Sequence, residues 1–460
     1  MNMAITRNPA TGEQLASYPY QTPAEIERLL AGCAAAFAQW RETPMTQRVA
    51  AYRRLSATLR TDVAHLSALI TAEMGKTLAE ARNEVAKCAD TLDWIASNGP
   101  AILADEPAPV EGDDQVYVSY LPLGTILGVM PWNFPFWQVI RAAGPILLSG
   151  NGFLLKHAPN VMGSALALQA VYEQSGFPPG LFANLITDND TVARVIADPR
   201  IAAVTLTGST RAGSAVAAVA GRAMKKSLLE LGGADAFIVL ADADLDQAVQ
   251  AGIYARFHNA GQVCLAAKRF ILERPIADEF TRKFVEAAKR LTTGDPRSPS
   301  SDLGPMARAD LRDELQGQVD RTVAAGGSVL LGGEKIDGPG NFYPPTVLAG
   351  VTPGMPAFDE ETFGPVAALT VADNAEHAVT LANTSRYGLS ANIWTQEMDR
   401  ALKIARRLET GGVFINGFSA SNARIPVGGV KQSGYGRELS HFGLREFTNA
   451  QAVWARALTR

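Results

Sequence analysis

The chain is predicted to be an α/β protein with a doubly wound, mostly parallel sheet and a second α/β unit. Three observations carry that prediction. At 460 residues the chain is too long for one ordinary core. Between 125 and 240, short apolar runs alternate with helical patterns, as strands buried on both faces of a parallel sheet do. A second alternating region begins near residue 264.

Residues 24–98 place apolar side chains at three-to-four spacing, in segments such as Pro23–Leu30 and Gln47–Leu55, and predict helices. Thr22, with Glu25 three residues on, matches a capping box. Gln115–Tyr120 alternates and predicts a strand with one exposed face. Apolar strands follow at Thr125–Met130, Gly152–Lys156, Ala202–Thr207 and Ala236–Leu240. The second region offers a strand at Arg269–Leu272, a helix over 278–291, and strands at Ser328–Leu331 and Ala367–Val371. The tail Phe447–Ala455 reads as a strand leaving the second unit; together with 115–120 it is expected to pair with another subunit.

Composition is that of a globular protein, 47% hydrophobic and 19% charged, with a net charge of −4. No Lys/Arg run suggests a nucleic-acid surface or a polybasic anchor. No apolar stretch approaches a membrane span, and the first residues lack a signal-peptide core. Neither nucleic acid nor membrane is therefore an expected partner, and the cytoplasm is the expected compartment. Cys33, Cys88 and Cys264 are odd in number and widely spaced, which fits a reducing compartment. The five histidines are scattered, so no metal site is expected.

Cys264 is the residue that points to chemistry. Cys33 and Cys88 lie in Ala-rich helical settings, as inert buried thiols do, whereas Cys264 follows the polar loop Asn259-Ala-Gly-Gln262. A thiolate attacks a carbonyl carbon, and a carboxylate such as Glu230, in Leu228-Leu-Glu-Leu-Gly-Gly233, can later take a proton from water. Asn133 sits in the rigid loop Pro131-Trp-Asn-Phe-Pro135. It reads either as a turn residue or as a donor to the oxyanion that thiolate addition creates. Gly208-Ser209 ends a strand and opens a helix, where backbone amides favour phosphate. Lys156 ends a strand, as a solvated lysine or as a donor to ribose hydroxyls. Glu361 is either solvated or an acceptor for a second ribose.

With these residues in place the chain resembles the aldehyde dehydrogenase superfamily over nearly its whole length. The motifs are Pro131–Pro135, Gly208-Ser-Thr210, Glu230–Gly233, Gly261-Gln-Val-Cys264, Glu361–Pro365 and Gly428–Gly434. Leu155–Gly163, Cys264–Phe270 and Gly436–Gly443 carry a narrower resemblance to bacterial succinate-semialdehyde dehydrogenases. The resemblance implies a Rossmann-type nicotinamide-nucleotide domain over 1–102 and 122–232, a catalytic domain over 233–445, and an oligomerisation arm over 103–121 and 446–460. It implies NADP or NAD as cofactor, a small aldehyde as substrate, and a homodimer or homotetramer. Cys264 would be the nucleophile, Glu230 the base for the deacylating water, and Asn133 with the Cys264 amide the oxyanion hole. Lys156 and Glu361 would hold the riboses and Gly208-Ser209 the pyrophosphate, with Trp132 and Phe363 packed near the cofactor.

Two departures sharpen the expectation. Pro159 stands where many NAD-using relatives carry an acid for the adenosine 2′-hydroxyl. Its neutrality leaves room for a 2′-phosphate beside Lys156, so NADP is expected to be accepted. A semialdehyde ending in a carboxylate needs a cation, and Arg141, Arg424 and His258 are the candidates. His258 stands where succinate-semialdehyde enzymes often have arginine, and a neutral imidazole is the poorer anchor. The alternative is a broad-specificity aliphatic or aromatic aldehyde dehydrogenase.

Overall fold

The computed structural model describes residues 3–110 and 114–456. Residues 1–2 of the expected first unit, and 111–113 and 457–460 of the expected arm, lie outside the described residues.

The helical reading of the N-terminal region resolves into Pro23–Arg41, Met45–Thr61, Val63–Met74 and Leu78–Ile102. Thr22 accepts from the Glu25 N–H while the Glu25 carboxylate accepts from the Thr22 N–H, so two orphan donors of the helix start are satisfied reciprocally. Thr77 and Glu80 repeat the device on Leu78–Ile102. The apolar stripes of the last three pack on one side of the first sheet, with Tyr52, Leu55, Ile70, Val85 and Leu92 buried, whereas Pro23–Arg41 turns Leu30 and Cys33 to the other side, against Leu127 and Leu154.

The first sheet has the order 434–435, Lys226–Glu230, Ile201–Thr207, Thr125–Met130, Gly152–His157, Phe182–Asn184. All its pairings are parallel except the first. Every residue of Gly152–His157 is buried, as expected of a strand with helices on both faces. Met130 pairs with His157 and Thr207 with Glu230, so the carboxyl ends of four strands share one edge. Ligands of open α/β sheets bind at that edge.

The second sheet runs Ser328–Leu331, Thr346–Ala349, Val366–Ala372, Ala267–Glu273, Asp235–Val239, Ser390–Trp394, Gly412–Ile415, parallel apart from its first pair. The chain then returns. Gly434–Tyr435 adds to the first sheet beside Glu230, and the helix Ser440–Glu446 packs on Trp137–Leu148. The stretch 434–445, expected within the second unit, packs on the first.

Gln115–Pro122 pairs antiparallel with Thr448–Ala455 of the same chain. The two segments expected to meet another subunit therefore meet one another, and Thr448–Ala455 is the outer strand of a three-stranded sheet. Among the described residues no helix is long and apolar enough to cross a membrane.

Candidate active site

The loop that carries Cys264 is a strained turn. After the helix Leu245–Phe257, Asn259, Ala260 and Gly261 adopt left-handed backbone at φ 55°, 51° and 72°. Two of these are non-glycine residues, which pay for that conformation. Side chains hold the turn. Arg256 donates to the carbonyls of Gly261 at 2.6 Å and Gly364 at 2.7 Å. Asn259 Nδ2 donates to the Asn133 carbonyl at 2.9 Å, and Gln262 Oε1 accepts the Ala307 N–H at 2.9 Å. A Cβ on Gly261 would collide with the Gly364 carbonyl. Lys268, buried, donates to the carbonyls of Val263 at 2.9 Å and Cys264 at 2.7 Å.

Cys264 is partly exposed, whereas Cys33 and Cys88 are buried. Burial pushes the Cys264 thiol up to about 11, and the nearby Arg141 and Lys268 pull against it. Burial takes Cys33 to about 12. Asn133 Nδ2 donates to the Gln262 carbonyl at 3.0 Å. Its second hydrogen remains for another acceptor, two residues from the thiol.

Glu230 ends its strand 2% exposed, and its Oε1 has no hydrogen-bond partner. Burial drives its carboxyl well above the ordinary carboxylate range, with Arg141 opposing and Glu438 adding to the rise. Arg141 is itself buried, ion-paired through Nε with Glu438 and 3.4 Å from Thr207 Oγ1. A buried, unpaired carboxyl near a thiol is suited to accept a proton from water, because its basicity is high.

Two cavities meet at Cys264 and Gln138, which line both. The larger, about 740 Å³, runs along the carboxyl edge of the first sheet past Trp132, Gly208, Ser209, Glu361 and Phe363. Ser209 caps the helix Thr210–Arg222, its Oγ accepting from the Ala212 N–H at 3.3 Å. The helix start therefore offers amides and partial positive charge to the cleft. Trp132 and Phe363 meet edge to face at 5.7 Å. Glu361 Oε1 accepts the Gly233 N–H at 3.0 Å, and its other oxygen lies where a Cβ on Gly232 would stand. An anion-favouring helix start, an aromatic pair and a carboxylate suit the pyrophosphate, ring and ribose of a dinucleotide.

Residues 2–453 match the model of the aldehyde dehydrogenase family. The chain belongs to that family. It is 57% identical over 451 residues to a succinate semialdehyde dehydrogenase [NAD(P)+] of Escherichia coli (strain K12), covering 98% of this chain and 97% of that protein. It is 46% identical over 452 residues to a succinate-semialdehyde dehydrogenase [NADP(+)] of Mycobacterium avium (strain 104), covering 98% and 96%. The crystal structure of the succinic semialdehyde dehydrogenase of Streptococcus pyogenes with NADP+ matches at TM-score 0.96 and 36% identity, over 98% of this chain and 99% of that one.

In this aldehyde dehydrogenase the smaller cavity, about 420 Å³, shares only Cys264 and Gln138 with the cleft. The three expected carboxylate anchors fare differently there. Arg141 reaches its wall but is committed to Glu438. His258 reaches it with Nδ1 3.1 Å from Glu80 Oε1 and its ring stacked on Tyr254, so an acid already occupies its polar edge. Arg424 is exposed and lies outside the cavity. Lys156 and Pro159 are not on the wall of the larger cleft. Lys156 is buried on the adjoining strand end, where burial lowers its affinity for a proton and Asp188 opposes that; Pro159 is exposed.

The sequence gives Lys268, Arg256 and Glu438 no role in the site, and marks Asn259 only as the start of a polar loop. Lys268 and Arg256 each fall near Cys264, and a lysine or arginine within an apolar strand or helix is the signal that was there to find. Glu438 had none, because its partner Arg141 is almost three hundred residues away.

Proposed function

We propose that this aldehyde dehydrogenase oxidises succinate semialdehyde to succinate with NADP or NAD, through a thioester on Cys264. The observation that carries the reading is the position of Cys264 at the meeting of two cavities, with the Asn133 amide and the Glu230 carboxyl close by. The names of the relatives support the semialdehyde over an unspecialised aldehyde.

The residues act in order. The Cys264 thiolate forms a C–S bond to the aldehyde carbon. The resulting alkoxide takes hydrogen bonds from Asn133 Nδ2 and the Cys264 N–H, a stabilisation typically worth about 3–4 kcal/mol. The nucleotide, when bound, supplies the hydride acceptor. Cys264 then carries a thioester. Glu230 takes a proton from water as its oxygen attacks the acyl carbon, the C–S bond breaks, and the acid leaves. The Gly208–Ser209 helix start, Glu361, Trp132 and Phe363 hold the nucleotide. Lys156 beside a neutral Pro159 leaves the 2′ position open to phosphate.

The same reading divides the chain into a nucleotide unit at 1–102 and 122–232, a catalytic unit at 233–445 and an arm at 103–121 and 446–460. The outer strand Thr448–Ala455 exposes Trp454, which supports the arm as the contact of a homodimer or homotetramer. Three free cysteines support a reducing, cytoplasmic setting.

The test is a panel of succinate semialdehyde, hexanal and benzaldehyde, each assayed with NADP and with NAD. A kcat/KM highest for succinate semialdehyde supports the reading. Equal values across the three would favour a broad aldehyde oxidiser, and rejection of NADP would overturn the cofactor reading.

A further inference from the structure

The loop that carries Asn133 has little of its own to hold it. Pro131 and Pro135 bring no N–H groups. The Asn133 side chain is anchored through Nδ2 to the Gln262 carbonyl, and among the described residues its Oδ1 has no hydrogen-bond partner. Where its second N–H points is therefore set by where the backbone lies. On one side, Asn259 Nδ2 holds the Asn133 carbonyl at 2.9 Å. On the other side the holder is a histidine.

His157 ends the strand Gly152–His157, paired with Met130, the residue before the loop. It is 1% exposed. Burial brings its imidazole down to about 4, so near pH 7 the ring is neutral, with one donor and one acceptor. Nδ1 accepts the Ala158 N–H at 2.9 Å. The ring proton therefore sits on Nε2, which donates to the Pro135 carbonyl at 2.9 Å. Nδ1 also lies 3.3 Å from the Met130 carbonyl. A proton there would crowd the Ala158 N–H and leave the lone pairs of Nε2 and the Pro135 oxygen facing each other. The carbonyls on either side, of Phe134 and Phe136, accept the Gln138 and Ile140 N–H groups at 3.1 and 2.9 Å. Pro135 thus takes a side chain of the sheet where its neighbours take the next turn of the helix. One imidazole fastens the loop, two residues beyond Asn133, to the end of the strand that carries Lys156.

We propose that His157 is a positioning residue for the reaction: it ties the Pro131–Pro135 loop to the first sheet so that Asn133 meets the alkoxide formed when Cys264 adds to the aldehyde. The inference rests on the thioester reading above and deepens it. His157 acts through Asn133, so its effect disappears once that amide is gone.

The experiment is a double-mutant cycle on the first burst of nucleotide reduction, with succinate semialdehyde and NADP. It uses the full-length enzyme, Asn133→Ala, His157→Phe and the double variant. Asn133→Ala should slow the burst by about 10²–10³-fold. His157→Phe should slow it by about 10–100-fold at saturating aldehyde, up to the cost of a misplacement of roughly 1 Å. In the Asn133→Ala background the same change should cost about twofold or less. Iodoacetamide labelling of Cys264 should be unchanged in His157→Phe. Two further variants separate the two bonds of the ring, and they decide the matter if His157→Phe does not fold. His157→Gln places an amide near the Nε2 position and should recover most of the rate. His157→Asn reaches only as far as Nδ1 and should not. Equal slowing by His157→Phe in both backgrounds, labelling lost in parallel with the burst, or recovery by His157→Asn and not by His157→Gln overturns the inference and leaves the thioester reading standing. An Asn133→Ala burst as fast as the parent's overturns the inference together with the assigned role of Asn133.

Discussion

Lys268 donates from its ammonium to the carbonyl oxygen of Cys264 at 2.7 Å. One buried cation thus ties down the backbone of Cys264 and lowers the energy of its thiolate, against the burial that raises it. Glu361 sits 3.5 Å from the same ammonium, so the cation also touches the edge of the nucleotide cleft.

Lys268→Met removes that charge. With the thiol already raised to about 11, thiolate is scarce near neutrality, so iodoacetamide labelling of the nucleotide-free protein should rise about tenfold per pH unit from pH 7 towards 10. In Lys268→Met the rate at a given pH should fall by about tenfold, the effect of losing roughly one pKa unit of favourable charge. Labelling that levels off below pH 9 in the parent protein would show the thiol to be far more acidic than its burial dictates.

Glu230→Gln keeps the shape of the site and removes the proton acceptor. A first burst of reduced nucleotide should survive while steady turnover falls by about 10²–10⁴-fold. In the parent, Glu230 works only when deprotonated, and its folded-state affinity for a proton is raised. Thioester hydrolysis should therefore be slow at acid pH and continue to accelerate above the range in which ordinary carboxylates have finished titrating. Rapid-quench measurements of deacylation against pH check both points.

Gly232→Ala would drive a Cβ into Glu361. Displacing that carboxylate should raise KM for the nucleotide by roughly tenfold, about 1.4 kcal/mol, with a smaller effect on kcat. Initial-rate kinetics over a range of NADP concentrations measure it.

Much of this architecture is visible in residue order because it is local. The Thr22–Glu25 box spans three residues, and Gly152–His157 is apolar throughout its first four positions because both its faces are covered. Other parts are hidden because they are made by partners far apart. Lys226–Glu230 opens with lysine and serine and ends on a buried acid, so it does not read as a strand. Ser390–Trp394 carries polar residues that are satisfied only across the fold, where Asp235 accepts the Ser390 N–H at 3.1 Å and Ser419 Oγ lies 3.2 Å from Asn392. In the site, the motifs around Cys264, Asn133 and Ser209 are contiguous and legible. The substrate wall is not. Arg141 looked free until Glu438 came into view.

Glu438→Gln tests the first of those pairings. It leaves a buried guanidinium without its counter-charge, which should cost about 3–5 kcal/mol of stability. Thermal or denaturant unfolding followed by circular dichroism reads that loss; an unchanged midpoint would mean that Arg141 finds another acceptor, with Glu230 the nearest by charge.

The most direct measurement is intact-protein and peptide mass spectrometry after mixing the enzyme with succinate semialdehyde and NADP and quenching early. The expected result is a succinyl thioester on Cys264, accumulating further in Glu230→Gln and absent in Cys264→Ala together with nucleotide reduction. Reduced nucleotide formed by Cys264→Ala, or turnover in the parent with no acyl group ever on that sulfur, would contradict the account.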